Sequence, residues 1–137
     1  MNPILVIDDS AMMRKIILRL LAQAGLPTDS ALEAADGAEA LALLEENTPA
    51  LILCDINMPN LTGLELLARI REEQLAAGVP IVMITTENGE AQVRQAIALG
   101  ARGYIRKPFT VDDIKTTVAP LLAAPLLAAR LVVPSKP

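Results

Sequence analysis

At 137 residues with 53% hydrophobic side chains, the chain has the size and aliphatic content of one domain around one core. Twelve basic residues against sixteen acidic leave a net charge of −4 with no basic stripe, which argues against nucleic acid as a direct partner. A single cysteine, Cys54, excludes a disulfide framework and fits a reducing, cytoplasmic compartment. The longest apolar tract is broken by Pro125 and Arg130, so neither secretion nor a membrane span is expected.

Along the chain, short apolar runs alternate with longer segments of helical period. Ile4-Leu5-Val6-Ile7 reads as a buried strand that ends in Asp8-Asp9. Ser10 can cap the helix that follows, where Met12, Met13, Ile16, Ile17, Leu20 and Leu21 recur at helical spacing until Gly25-Leu26-Pro27 stops it. A second strand falls around Ser30 to Ala34. Helical patterns are then expected at 37–46, 63–74, 90–99 and 111–119, with strands at 50–54, 80–84 and 102–105 between them. Five βα units with right-handed crossovers give an α/β fold, a five-stranded parallel sheet doubly wound by helices on both faces.

Thr110 is placed to cap the last helix with Asp113 three residues on, and Ile114 and Val118 form its inward stripe. A kink or break is expected near Pro120, which lacks the amide that would bond to Thr116. The division is therefore a domain over residues 1–119 and an extension over 120–137. Leu121, Leu122, Leu126, Leu127, Leu131, Val132 and Val133 make that extension too apolar to stay solvated, so it is expected to pack on its own domain, on a second protomer or on an output surface.

The chemistry gathers at the strand ends. Asp55 closes the apolar run Leu51-Ile52-Leu53-Cys54 and is followed by the turn Ile56-Asn57-Met58-Pro59, which puts a carboxylate at the C-terminal mouth of a buried strand. In open α/β sheets that mouth is where ligands sit. Asp8 and Asp9 reach the same edge, Thr85 ends Ile81-Val82-Met83-Ile84, and Lys107 follows Gly103-Tyr104-Ile105. Three crowded carboxylates need protons or a cation, and hard oxygen ligands with room for water suit Mg²⁺. Helix capping would account for Asp8 and Asp9 alone, but for neither Asp55 nor Lys107. A metal, an ammonium and a hydroxyl around one carboxylate compose a phosphoryl site.

At these residues the chain resembles the receiver domains of two-component response regulators, within them the stand-alone, CheY-like chemotaxis type. The resemblance runs from about Pro3 to Ala119 and rests on Asp8-Asp9-Ser10, Asp55 with Asn57-Met58-Pro59-Asn60, Gly63, Thr85-Thr86-Glu87, Gly100-Ala101, Gly103-Tyr104 and Lys107-Pro108-Phe109, in order and spacing. It implies strand order 2-1-3-4-5 and a cis Lys107-Pro108 bond. It makes Asp55 the phosphoacceptor, with Asp9, Asp55 and the Asn57 carbonyl as direct Mg²⁺ ligands and Asp8 acting through a metal-bound water. Lys107 would pair with the phosphoryl oxygens. Thr85 would move toward that group while Tyr104 rotates inward, rearranging the face built from the fourth helix, fifth strand and fifth helix. Asn57 and Glu87 would tune the lifetime of the acyl phosphate. Thr62 stands where the family often has an Asp, beside the site and at small cost.

The chain has no histidine, so a phosphoryl group must arrive from a histidine kinase or a small phosphodonor. The resemblance implies a signalling switch, not an enzyme in the usual sense, with autophosphorylation and slow self-dephosphorylation of its own. Its expected output partner is a flagellar motor switch component, with a phosphatase as a further partner. The alternative is a phosphorelay intermediate or phosphate sink. A Mg²⁺-dependent phosphatase would need a second acid two residues after the nucleophile, and Asn57 stands there. Cys54, buried among apolar residues, is expected to be inert.

Overall fold

The apolar runs that end in Asp8, Asp55 and Thr85 become strands, and the stretches of helical period between them become helices laid across the sheet. The computed structural model describes residues 2–86 and 90–122. In chain order the elements are β1 (Ile4–Ile7), α1 (Ala11–Gln23), β2 (Leu32–Ala34), α2 (Gly37–Glu46), β3 (Leu51–Asp55), α3 (Gly63–Glu72), β4 (Ile81–Thr85), α4 (Glu90–Ala98), β5 (Gly103–Arg106) and α5 (Val111–Thr117). All four strand pairings are parallel and the order is β2-β1-β3-β4-β5, as the resemblance implied.

Period-two alternation sends the strand side chains into two cores. Leu5, Ile7, Ile52, Cys54 and Met83 meet α2, α3 and α4 through Ala40, Leu44, Leu66, Leu67, Ile70 and Ala96. Ile4, Val6, Leu51, Leu53, Val82 and Ile84 meet α1 and α5 through Ile17, Leu21 and Ile114. Because the three central strands are covered on both faces, they carry continuous aliphatic runs instead of alternating with polar residues.

The helix starts follow from local chemistry. Ser10 Oγ accepts the Met13 N–H at 3.2 Å and Asp36 Oδ1 accepts that of Glu39 at 2.8 Å. Thr62 with Glu65, and Thr110 with Asp113, form reciprocal capping boxes, so Thr62 serves as a cap. Gly25 ends the α1 region at φ +87, a left-handed conformation open to glycine at little cost.

Several element bounds differ from those expected, β2 starting at Leu32 and α3, α4 and α5 ending at Glu72, Ala98 and Thr117. Strands β3, β4 and β5 each start and end one residue later than expected, with Asp55 still paired with Ile84 and Thr85 with Arg106. Helix α1 buries only Ile17 and Leu21 fully, leaving Met12 72% and Ile16 38% exposed, so its apolar stripe is broader than the core it covers. The last helix breaks at Val118, two residues before Pro120, and a further helical turn follows at 119–122. Pro120 sits in the first turn of that piece, where its missing amide costs nothing, and the Leu121 N–H bonds back to Val118 at 3.0 Å. Leu121 and Leu122 pack on the α1–α5 core. The rest of the apolar extension, 123–137, lies outside the described residues.

Candidate functional site

The strand register brings the acids together. Ile7 stands opposite Cys54 in the β1–β3 ladder, so one step further Asp8 comes level with Asp55. Among the described residues the buried polar side chains are Asp8, Asp55 and Thr85, all at the carboxyl ends of strands. Asp8 is held by its backbone, whose N–H donates to the Ala34 carbonyl at 3.1 Å, and its Oδ1 accepts the Ser10 N–H at 2.8 Å. Asp55 Oδ1 accepts the Asn57 N–H at 3.1 Å.

Lys107 closes the group. Its backbone N–H donates to Thr85 O at 2.7 Å, which continues the β4–β5 ladder past the last strand residue, and the Lys107-Pro108 bond is cis. The ammonium lies 3.5 Å from both Asp8 Oδ2 and Asp55 Oδ2. Asp9 stays exposed, yet one oxygen from each of Asp8, Asp9 and Asp55 lies within 4.8 Å of the others.

Burial pushes the Asp55 carboxyl above the ordinary carboxylate range, the Lys107 charge and the Asn57 N–H pull it back, and the Asp8 charge pushes it up again. Next to it, burial raises the Cys54 thiol far out of the reactive range, with the Asp55 and Asp8 charges adding to the effect. Gly63 lets α3 approach the site. Its N–H donates to Ile56 O at 2.8 Å, and a Cβ there would collide with the Asp55 carbonyl oxygen and come within 2.7 Å of Ile56 Cα.

The donor set fits a small hard cation. Asp8 Oδ2 is buried without a hydrogen-bond partner, with the Lys107 ammonium 3.5 Å away, and so keeps acceptor capacity for a cation. Oxygens bound directly to one Mg²⁺ stand at most about 4.2 Å apart, twice the ~2.1 Å bond. A cluster spanning no more than 4.8 Å is thus close to closing on one ion, directly or through a water.

Of the residues singled out in the sequence, Asp8, Asp9, Asp55 and Lys107 are brought together. Thr85 ends the neighbouring strand with its hydroxyl donating to Thr86 O at 3.0 Å. Asn57 is exposed beside the cluster. Tyr104 lies apart from it on β5, 41% exposed. Glu87 lies outside the described residues. The sequence reading missed Arg14, which donates Nη1 to the Asp8 carbonyl at 2.6 Å and Nε to Glu33 Oε1 at 2.8 Å. Its one signal was a cation in the first turn of a helix, where the macrodipole disfavours positive charge.

A parallel 2-1-3-4-5 sheet with carboxylates and a lysine at its mouth defines a class, and comparison with known proteins agrees: residues 4–119 match the response regulator receiver domain, and the chain belongs to that family. Within the family it is similar to stand-alone chemotaxis proteins. It is 42% identical over 120 residues to a chemotaxis protein CheY homolog of Campylobacter jejuni, covering 87% of this chain and 91% of that one. The chemotaxis protein CheY1 of Helicobacter pylori is 42% identical over 113 residues, 82% of this chain and 90% of its own. The chemotaxis protein CheY4 of Vibrio cholerae superposes with a TM-score of 0.76 at 33% identity, over 88% of this chain and 98% of that structure. No helix among the described residues is long and apolar enough to cross a membrane.

Proposed function

We propose that this chain is a phosphorylation-controlled switch in which Asp55 accepts a phosphoryl group from the phosphohistidine of a partner kinase, or from a small acyl phosphate. The observation that carries the reading is the Lys107 ammonium, placed 3.5 Å from both Asp55 Oδ2 and Asp8 Oδ2. Asp8, Asp9, Asp55 and the Asn57 carbonyl are the groups that would hold Mg²⁺, Asp8 through a water. When bound, the ion supplies positive charge that screens the incoming phosphoryl oxygens from the carboxylates.

Asp55 is held as a nucleophile by Lys107 and the Asn57 N–H, both of which favour its ionised form. One of its oxygens bonds to phosphorus as the donor's P–N bond breaks. The electron pair leaves with the imidazole, which takes a proton from solvent, and Lys107 pairs with the transferred oxygens. Hydrolysis of the acyl phosphate resets the switch, with Asn57 and Glu87 tuning the water's approach.

Signalling follows from two side chains. The Thr85 hydroxyl exchanges the Thr86 carbonyl for a phosphoryl oxygen, and Tyr104 turns from solvent into the space it vacates. That motion alters a groove of about 280 Å³ lined by Val93, Arg94, Ile97, Tyr104 and Arg106, where an output protein docks. Similarity to chemotaxis proteins of this size makes a flagellar motor switch component the proposed partner, met in the cytoplasm.

The test is incubation with acetyl phosphate and Mg²⁺ followed by intact-mass measurement. One phosphoryl adduct is expected on the wild type and none on Asp55→Asn. Lys107→Ala should label slowly. Undiminished labelling of Asp55→Asn, or labelling of the wild type independent of Mg²⁺, would overturn the assignment.

A further inference from the structure

The acids at the mouth are useful only if the peptide that joins Asp8 to Asp9 is held still. Asp8 donates its N–H to Ala34 O and its Oδ1 accepts the Ser10 N–H, while its Oδ2 makes no hydrogen bond and lies 3.5 Å from the Lys107 ammonium. Its carbonyl oxygen remains, and that atom receives the Arg14 Nη1 at 2.6 Å. The carbonyl belongs to the Asp8–Asp9 peptide plane, so fixing it fixes the direction in which Asp9 leaves the strand. Asp9 itself is exposed, so its direction rests largely on the backbone that carries it.

Arg14 is a costly residue for its place. It is the fourth residue of α1, in a first turn without any acid, where the helix dipole repels it, and its side chain is only 14% exposed. Glu33 on β2 offsets that cost by accepting Nε at 2.8 Å, which also prevents the guanidinium from rotating. A guanidinium can serve the two acceptors at once because its donors are fixed in one plane, whereas a lysine ammonium is a single point on a flexible stem.

We infer that Arg14, clamped by Glu33, is a positioning residue for the cation site: it sets the Asp8–Asp9 peptide so that the Asp9 carboxylate faces Asp8 and Asp55. The inference rests on the reading of those acids as the Mg²⁺ site. Arg14 acts through the peptide and touches neither the cation nor the phosphoryl group.

The experiment is calorimetric titration of the full chain with Mg²⁺ alone, beside its thermal unfolding without metal, for wild type, Arg14→Ala, Arg14→Lys, Glu33→Gln and Asp9→Asn. Removing a group that orients a ligand typically weakens metal binding about tenfold or more, and Arg14→Ala is expected to do so. Arg14→Lys should retain part of the affinity. Glu33→Gln should lose less than Arg14→Ala but in the same direction. A merely structural arginine would lower the unfolding midpoint and leave the Mg²⁺ affinity of the folded protein unchanged, and that result overturns the inference. If Arg14→Ala does not fold, Arg14→Lys and Glu33→Gln decide: unchanged Mg²⁺ affinity in both overturns it. Asp9→Asn separates the two claims. Loss of binding there with none in the Arg14 and Glu33 variants sinks the positioning role alone, while full binding in Asp9→Asn sinks the cation site and this inference with it.

Discussion

The bodies of the central strands and their carboxyl ends are built on opposite rules. From Ile4 to Ile7, Leu51 to Cys54 and Ile81 to Ile84, side chains are aliphatic or sulfur-bearing, buried, and packed on both faces of the sheet. One residue later the chain places Asp8, Asp55 and Thr85, still buried, where burial is unfavourable to charge. The bodies gain stability from removing apolar area from water, and the ends give some of it up to hold three carboxylates and an ammonium in one cleft. What separates scaffold from chemistry is a single step along each strand.

Substitutions on the two sides of that step should therefore have different signatures. The largest effect belongs to the body: Leu53→Ala, fully buried between β1 and β4, should lose about 2–5 kcal/mol in chemical denaturation while leaving Mg²⁺ affinity of the folded protein near wild type. A parallel loss of Mg²⁺ binding would mean that body and mouth are not separable. Gly63→Ala lies at the boundary, where its Cβ meets the Asp55 carbonyl and the Ile56 backbone. Overpacking of that kind costs about 1–3 kcal/mol, and here the displaced atoms belong to the site, so stability and Mg²⁺ affinity should fall together.

At the mouth itself the sign reverses. The Asp55 carboxyl is raised in the folded chain, chiefly by burial, so the folded state holds that proton more tightly than the unfolded state. Its contribution to stability is full below the ordinary carboxylate range and is lost as pH rises through the raised Asp55 value. Asp55→Asn should remove that loss: without Mg²⁺ it should melt above the wild type at neutral pH, and the difference should shrink toward acid. A variant that melts lower than wild type at neutral pH would show that the Lys107 ion pair outweighs burial. The smallest effect is expected far from both regions. Breaking the exposed pair between Arg69 on α3 and Glu73 at its C-terminal cap by Glu73→Gln should change the unfolding free energy by no more than about 0.5 kcal/mol.

The same contrast explains what the sequence could tell. Strand bodies and mouth residues are legible because unbroken aliphatic runs end abruptly in Asp8, Asp55, Thr85 and, one residue past β5, Lys107. Helix starts are legible through Ser10 and Thr110, whose partners lie three residues on, whereas Thr62, noted only as a departure from the family pattern, proves to be the cap of α3. The exposed Met12 and Ile16 were not, since helical period marks a stripe without saying how wide a surface receives it. The break near Pro120 was legible, but its position at Val118 was not, because Pro120 fits the start of the next turn and leaves the end of the previous one to be set by packing. Arg14 was hidden for a different reason: its partners are a main-chain carbonyl and a side chain nineteen residues away. The expectations for Glu87 and for 123–137 fall outside the described residues.

The central claim, that cation and phosphoryl chemistry belong to the strand ends and not to the bodies, is tested most directly by following backbone amide NMR signals during Mg²⁺ titration and then after addition of acetyl phosphate. Mg²⁺ is predicted to shift residues 8–10, 55–58 and 107 while 4–6 and 51–53 stay in place, and acetyl phosphate to extend the change to 85–86 and 104. Mg²⁺ shifts centred at the opposite edge, around 31, 50 and 80, or no shift at Asp9 and Asn57, would contradict the account.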